Sequence, residues 1–394
     1  MSTTLKTHQI VILGGHYGGL STAHYLLRHV IPSLATATPY TLYHVSIVFP
    51  HVEYFWNIAA PRHLVGESVL PAHKMFLPLE ADLKKYTAKQ LTIISGKAVA
   101  LSPENKMVTI ATQGNDVRQN IGFDTLVIAT GTTSNSALWQ MNEDDAVTKD
   151  AFKSLHNALP KAKTILIGGG GAVGVETAGE IGTHFKGPEI TILSGTDRLL
   201  PRLVPGNSAS AENRLKALGV STVHNLRVSS ASVEADGTTT VVLSDGSSRK
   251  VDVYIDATGG KPNSSFLPSD WVNEKGYVVT DEKTFRAKVP GVYAVGDVAS
   301  SSDGSFMNLI NQVRPMSTSI GLDIATAAGN STLFTQQIYK PVTNTQLVPI
   351  GPSGGVGQAF GWRLPSWLVW LAKSRTFFLE KAEASIKGSD FIKA

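Results

Sequence analysis

Two short stretches of this chain carry glycines at spacings suited to holding a pyrophosphate. Near the N-terminus Ile10-Val11-Ile12-Leu13 runs into Gly14-Gly15-His16-Tyr17-Gly18-Gly19, and further on Ile165-Leu166-Ile167 runs into Gly168-Gly169-Gly170-Gly171-Ala172-Val173-Gly174. An apolar strand, a glycine turn and a helix start aim backbone amides and the positive end of the helix dipole at an anion. In the second loop Gly169, Gly171 and Gly174 fall where a tight turn, a close backbone approach and helix-on-strand packing require glycine. In the first, Gly14 and Gly19 take the outer positions, and His16 stands where the backbone should approach the phosphates. Its side chain must point away from a pyrophosphate or take part of its place. Two such loops imply two dinucleotides.

The elements around the loops repeat as well. Leu91 to Gly131 parallels Val220 to Gly260, each reading as short strands around polar turns and then an apolar strand ending in Ala-Thr-Gly. One unit runs from about His8 to Gly131 and the other from about Pro160 to Gly260. The first is the longer, with most of the excess around His51 to Pro78. That stretch contains Tyr54, Phe55 and Trp56, and long irregular insertions are usually functional or disordered; the aromatics favour function. Lys261-Pro262-Asn263 breaks the pattern. An extended stretch (Gly276 to Thr280) follows, and then Gly291-Val292-Tyr293-Ala294-Val295-Gly296-Asp297 places a carboxylate at a strand's carboxyl edge, where open α/β sheets bind ligands. From about Asn330 a smaller module begins.

At 394 residues, with 42% hydrophobic and 17% charged content, the chain can bury about two or three cores. Its net charge of +4 comes without a run of Lys or Arg, so no nucleic-acid partner is expected. With no cysteine, a redox-active thiol pair, a disulphide and a thiolate nucleophile are all excluded, and electron transfer must use a cofactor. The histidines lack metal-ligand spacing, so no metal site is expected. No signal peptide and no apolar run of roughly 18 residues stands out, and Met1-Ser2-Thr3 lacks the glycine needed for N-myristoylation. The expected location is cytoplasmic, with peripheral membrane contact open.

The order GGHYGG, IATG, GGGGAVGVE, DATGGKPN, GVYAVGD resembles the two-dinucleotide-binding flavoprotein oxidoreductases of glutathione-reductase fold. Gly355-Val356-Gly357-Gln358, with the run from Pro365 to Phe378, narrows the resemblance to the apoptosis-inducing-factor-like branch, which includes ferroptosis-suppressor-protein-like NAD(P)H:quinone reductases. It covers nearly the whole chain. It implies an α/β protein with two Rossmann-like domains: residues 1–145 and 263–329 binding FAD, 146–262 binding NAD(P)H, and 330–394 forming a C-terminal module.

The resemblance also implies roles. Gly14, Gly15, His16, Gly18, Gly19 and Gly131 surround FAD, Asp297 holds its ribityl chain, Arg62 lies beside its phosphates and ring, and Val99 offers a backbone contact to adenine. The acid that ends the second strand falls on His44, which has no carboxylate. Glu176 lies by the nicotinamide and flavin, or is a helix-start glutamate favoured by the dipole. Lys373 and Phe378 line a quinone site, with Lys373 facing Glu176. Arg314-Pro315-Met316 is expected to begin a helix aimed at the flavin, with Arg314 either strengthening its field or lying at the surface. The strand Ile190 to Leu193 ends in Ser194-Gly195 without an acid, with Arg198 and Arg202 near, so NADPH is expected to serve at least as well as NADH.

Trp367, Leu368, Trp370 and Leu371 form a helical stripe that is either core or an interfacial helix dipping into a membrane. The expected activity is electron transfer from NAD(P)H through FAD to a quinone or quinone-like aromatic. Two other readings stay open: a natural-product tailoring flavoenzyme acting on an aromatic or polyketide, and a flavin-poor binding protein, suggested by His16 and His44.

Overall fold

A computed structural model describes residues 6–112, 117–141 and 144–393; Met1 to Thr3, on which the acylation expectation falls, lie outside them. The first sheet has five parallel strands in the order Val292–Ala294, Thr125–Ile128, Lys6–Leu13, Thr41–Phe49, Leu91–Ser95. Ile10, Val11 and Ile12 are wholly buried, because a parallel strand covered on both faces needs an unbroken apolar run. The strand order reverses beside Lys6–Leu13, and the first glycine loop leaves from that point. Helix Tyr17–Tyr25 continues through a widened turn, Leu26–Val30, into Ile31–Ala37, and packs against helix Phe306–Ala327.

The second sheet repeats the plan with parallel strands Val220–Val223, Glu189–Leu193, Thr164–Gly168 and Val253–Asp256. Each unit also carries a three-stranded antiparallel sheet, Lys97–Ser102 with Met107–Ala111 and Arg118–Gly122, and Val228–Val233 with Thr239–Leu243 and Ser248–Val251. Both have a register shift early in their first strand, at Ala98/Ala100 and at Val228/Ser230. The units are joined where Thr132–Thr133 pairs with Lys261–Pro262, and Asn263 Nδ2 donates to Thr130 O at 2.9 Å.

In the insertion Glu53–Phe55 pairs with Phe76–Pro78. Tyr54, Phe55 and Trp56 are buried; Phe55 stacks on Phe76 at 4.8 Å, and Trp56 Nε1 donates to Phe377 O at 2.9 Å. These aromatics thus tie the insertion to the C-terminal module. That module holds strands Gln346–Pro349, Gly355–Ala359 and Trp362–Arg363, helix Ser366–Val369, a widened turn Trp370–Ser374, and helix Leu379–Lys387. Its tryptophan stripe faces outward, with Trp367 64% and Leu371 47% exposed while Val369 is buried, so core packing is not its role. Among the described residues no helix is long and apolar enough to cross a membrane.

The expected helix start at Arg314 is corrected. The helix begins at Phe306, with the Ser305 hydroxyl accepting from Asn308 N at 3.2 Å, and Pro315 lies in its interior. Proline there leaves the carbonyl of exposed Asn311 without its helical donor, and water can take that place.

Candidate active site

The two glycine loops have the same geometry. Gly14 sits at φ +118° and Gly169 at φ +119°, a region open to glycine. A methyl on Gly19 would run into Gly14 O, and one on Gly174 into Gly169 O. The helices that follow, Tyr17–Tyr25 and Ala172–His184, have no side-chain cap and no acid in the first turn. Their first amides are therefore free for an anion.

A cavity of about 350 Å³ opens over the first loop, walled by Gly14, Gly15, His16, Gly18, Gly131 and Asp297 among others. Asp297 follows strand Val292–Ala294 and is half-buried, with no hydrogen bond to another described residue. Burial holds its carboxyl above the usual carboxylate range, and Asp303 pushes the same way. A cradle that side chains would fill, helix amides, and an unpartnered carboxylate among cleft walls are the features a flavin dinucleotide needs, and these residues fit FAD.

His16 avoids the conflict its position threatens. Its ring stacks on Tyr54 at 4.6 Å, and Nε2 donates to Phe55 O at 2.8 Å. The residue stays exposed and lines the cavity.

Four expected cofactor contacts lie elsewhere. The second strand continues to Phe49, so His44 pairs with Gln9 well before the loop, and its ring is held by Lys89 O and Thr92 Oγ1, both at 3.0 Å. Val99 is the extra residue of the bulge; the wall is formed by Gly96, Lys97 and Ala98. Arg314 Nη2 donates to Lys393 O at 3.0 Å. Arg62 is buried against the second unit. Near the second loop, Arg202 is drawn to Asp303, while Arg227, which sequence reasoning passed over, donates from Nε and Nη2 to Gly195 O at 3.3 and 3.2 Å.

A second centre forms where helix Ala172–His184 meets the C-terminal module. Glu176 is 3% exposed, and its Oε1 accepts from Lys373 Nζ at 2.6 Å; the same ammonium donates to Leu347 O at 3.2 Å. Burial raises the Glu176 pKa, the Lys373 charge opposes that, and Glu180 adds to it. One turn along, buried Glu180 Oε1 accepts from Arg62 Nε at 3.1 Å and Nη2 at 2.7 Å. Arg62 Nη1 reaches Ser374 O at 2.6 Å. Both cations approach the Phe377 ring, Arg62 Cζ at 4.5 Å and Lys373 Nζ at 5.8 Å. Phe377 and Phe378 both adopt left-handed backbone, φ +50° and +56°, a strained conformation that persists where surrounding packing imposes it. The Glu176–Glu180 spacing, which puts two carboxylates on one helix face, was a signal for Glu180 in the sequence; Phe377 left none.

A family model described as pyridine nucleotide-disulphide oxidoreductase matches residues 8–323. The chain is 34% identical to oxidoreductase phnG of Penicillium herquei, covering 99% of each chain, and 26% identical to ferroptosis suppressor protein 1 of Homo sapiens, covering 96% of each. Among solved structures, the sulfide:quinone oxidoreductase of Aquifex aeolicus superposes with a TM-score of 0.68 at 15% identity, over 96% of this chain and 92% of that one, a likeness of fold.

Proposed function

We propose that this chain, which belongs to the pyridine nucleotide-disulphide oxidoreductase family, passes electrons from NAD(P)H to a quinone or quinone-like aromatic held beside Lys373. FAD and a pyridine nucleotide are the cofactors of this family; bound FAD would supply the capacity to take a hydride from NAD(P)H and pass its electron pair to the quinone. Without cysteine, the acceptor is reduced with no protein disulphide in between.

The chain's own groups divide the remaining work. The first glycine loop and the amides at Tyr17 hold the flavin pyrophosphate, Asp297 accepts from ribityl hydroxyls, and Gly169, Gly171 and Gly174 admit the pyridine nucleotide. Glu176 and Leu347 O fix two of the three Lys373 ammonium protons. The third is left to donate to an acceptor oxygen and stabilise the anionic charge that develops as the acceptor is reduced. Exposed Trp367, Trp370 and Leu371 offer an apolar approach for such a molecule, and the same aromatics suit contact with a membrane interface that dissolves it.

The observation that carries this reading is the buried Lys373–Glu176 contact of 2.6 Å. It is tested by purifying the protein, recording its flavin spectrum, and screening NADH and NADPH oxidation over a series of quinones. Flavin reduction followed by quinone-dependent reoxidation is expected; a protein that transfers no electrons to any quinone overturns the acceptor. A second reading, an oxidoreductase modifying an aromatic or polyketide product, stands beside it because the chain is more identical to two proteins named only as oxidoreductases, phnG and, at 30%, ptaL of Pestalotiopsis fici, than to ferroptosis suppressor protein 1. It is distinguished by turnover of hydroxylated polycyclic aromatics where simple quinones fail.

A further inference from the structure

In dinucleotide folds of this kind the second strand ends in an acid that accepts from ribose hydroxyls. Here that strand, Thr41–Phe49, pairs in register with the first so that Val48 stands beside Leu13, and Gly14 N donates to Val48 O at 2.8 Å. The residue at the strand's end is Phe49, whose ring lies where a methyl on Gly15 would stand. No carboxylate ends the strand. Pro50 turns the chain, and His51 follows on the cavity wall.

His51 Nδ1 lies 2.7 Å from Asp145 Oδ1, with both side chains largely buried. Asp145 opens helix Asp145–Ala158, where the dipole favours an ionised carboxylate, and its Oδ2 also accepts from Val52 N at 3.3 Å. An ionised carboxylate is an acceptor only, so Nδ1 must donate; in a neutral imidazole Nε2 is then left as an acceptor. That is the polarity the missing acid would have offered a ribose hydroxyl. Of the two carboxylates on the same wall, Glu53 is taken by Lys149 and Asp297 stands beyond the other strand end, after Val292–Ala294.

We propose that His51, oriented by Asp145, accepts the hydrogen bond from the adenosine ribose hydroxyls of FAD in place of the carboxylate that Phe49 displaces. This rests on FAD occupying the first cavity. Apoprotein is titrated with FAD by calorimetry, with folding checked by circular dichroism. His51→Phe is expected to weaken FAD roughly tenfold. His51→Gln, whose side-chain oxygen can still accept, recovers most of the affinity, Asp145→Ala weakens it by releasing the ring, and Glu53→Gln leaves it unchanged. Wild-type affinity in folded His51→Phe overturns the proposal, as does a loss confined to Glu53→Gln. Wild-type apoprotein that takes up no FAD overturns the flavin reading itself, a different result from either.

Discussion

Lys373 and Glu176 stand 197 positions apart in the chain, and their side chains meet at 2.6 Å. Glu176 comes from the helix that follows the second glycine loop, Lys373 from the widened turn of the C-terminal module. Their contact therefore exists only when the module is seated on the nucleotide-binding unit. The parallel contact of Arg62 with Glu180 and Ser374 O fastens the insertion of the first unit to the same place, so all three parts of the chain converge there.

Replacing Lys373 by Ala removes the proposed donor to the acceptor oxygen and leaves Glu176 buried without its cation. Burial already raises the Glu176 pKa, so in the variant the carboxyl takes a proton rather than remain an unpaired charge. Flavin reoxidation by quinones should slow roughly a hundredfold, the size of effect seen when one preorganised donor is lost. Flavin reduction by NAD(P)H should keep its rate. Stopped-flow absorbance separates the two half-reactions; unchanged reoxidation with every quinone would remove Lys373 from the acceptor site.

Gly171 makes a sharper test of the second loop. A side chain built there meets no atom within 4 Å, and its backbone, φ −78° and ψ −174°, is extended and open to any residue. Gly171→Trp should therefore fold normally and keep FAD while blocking the close approach of a pyrophosphate. Loss of flavin reduction with the flavin spectrum intact is the expected outcome. Normal reduction would mean that the pyridine nucleotide binds elsewhere.

What the sequence revealed of this arrangement was what is local. Both glycine loops, the strands feeding them and the Gly296-Asp297 strand end depend on neighbours in the chain, and all stand where the residues imply. The structure departs from the expectation at His44 for a local reason too: Val45-Ser46-Ile47-Val48-Phe49 continues the strand beyond His44 as far as Pro50. At Arg314-Pro315 the average preference of proline for helix starts gives way to a capping serine upstream, Ser305, from which the helix already runs. The partnerships of Arg62 with Glu180 and of His51 with Asp145 span 118 and 94 positions. Such pairings are set by how domains pack, and no spacing announces them. The Lys373–Glu176 pair was reached through family resemblance, for the same reason.

Pyridine-nucleotide preference should follow Arg198 and Arg227. The strand Glu189–Leu193 ends in Ser194-Gly195 with no acid to repel a 2′-phosphate. Arg227 lies over Gly195, and Arg198 Nε is buried with no hydrogen-bond partner among the described residues. Changing either to Ala should weaken 2′,5′-ADP roughly tenfold, the scale of one charge-assisted hydrogen bond, and leave ADP unaffected. Calorimetry reads both without needing the flavin, and equal losses for the two ligands would show that the arginines serve the fold instead.

Acid should destabilise the protein through its buried histidines, His24 first. The wholly buried ring donates from Nε2 to Ile386 O at 2.7 Å, so Nδ1 accepts from the Tyr86 hydroxyl at 2.8 Å. This neutral form bridges the first long helix to the C-terminal helix, and protonation would place a charge on a wholly buried ring. Burial pushes the His24 pKa from 6.5 down to about 3, with Lys85 and Arg28 contributing against the Ile386 bond. Between those values the unfolded chain takes up a proton that the folded one refuses, so stability is full above pH 6.5 and is lost as pH falls toward 3. The limiting slope is about 1.4 kcal/mol for each pH unit. His8 and His63 are lowered as well and act in the same direction. Denaturant midpoints measured from pH 7 to pH 5 should therefore fall, and His24→Gln, which can still donate to Ile386 O but does not titrate, should make the decline shallower. An identical slope in the variant would mean that the acid sensitivity arises at the other histidines.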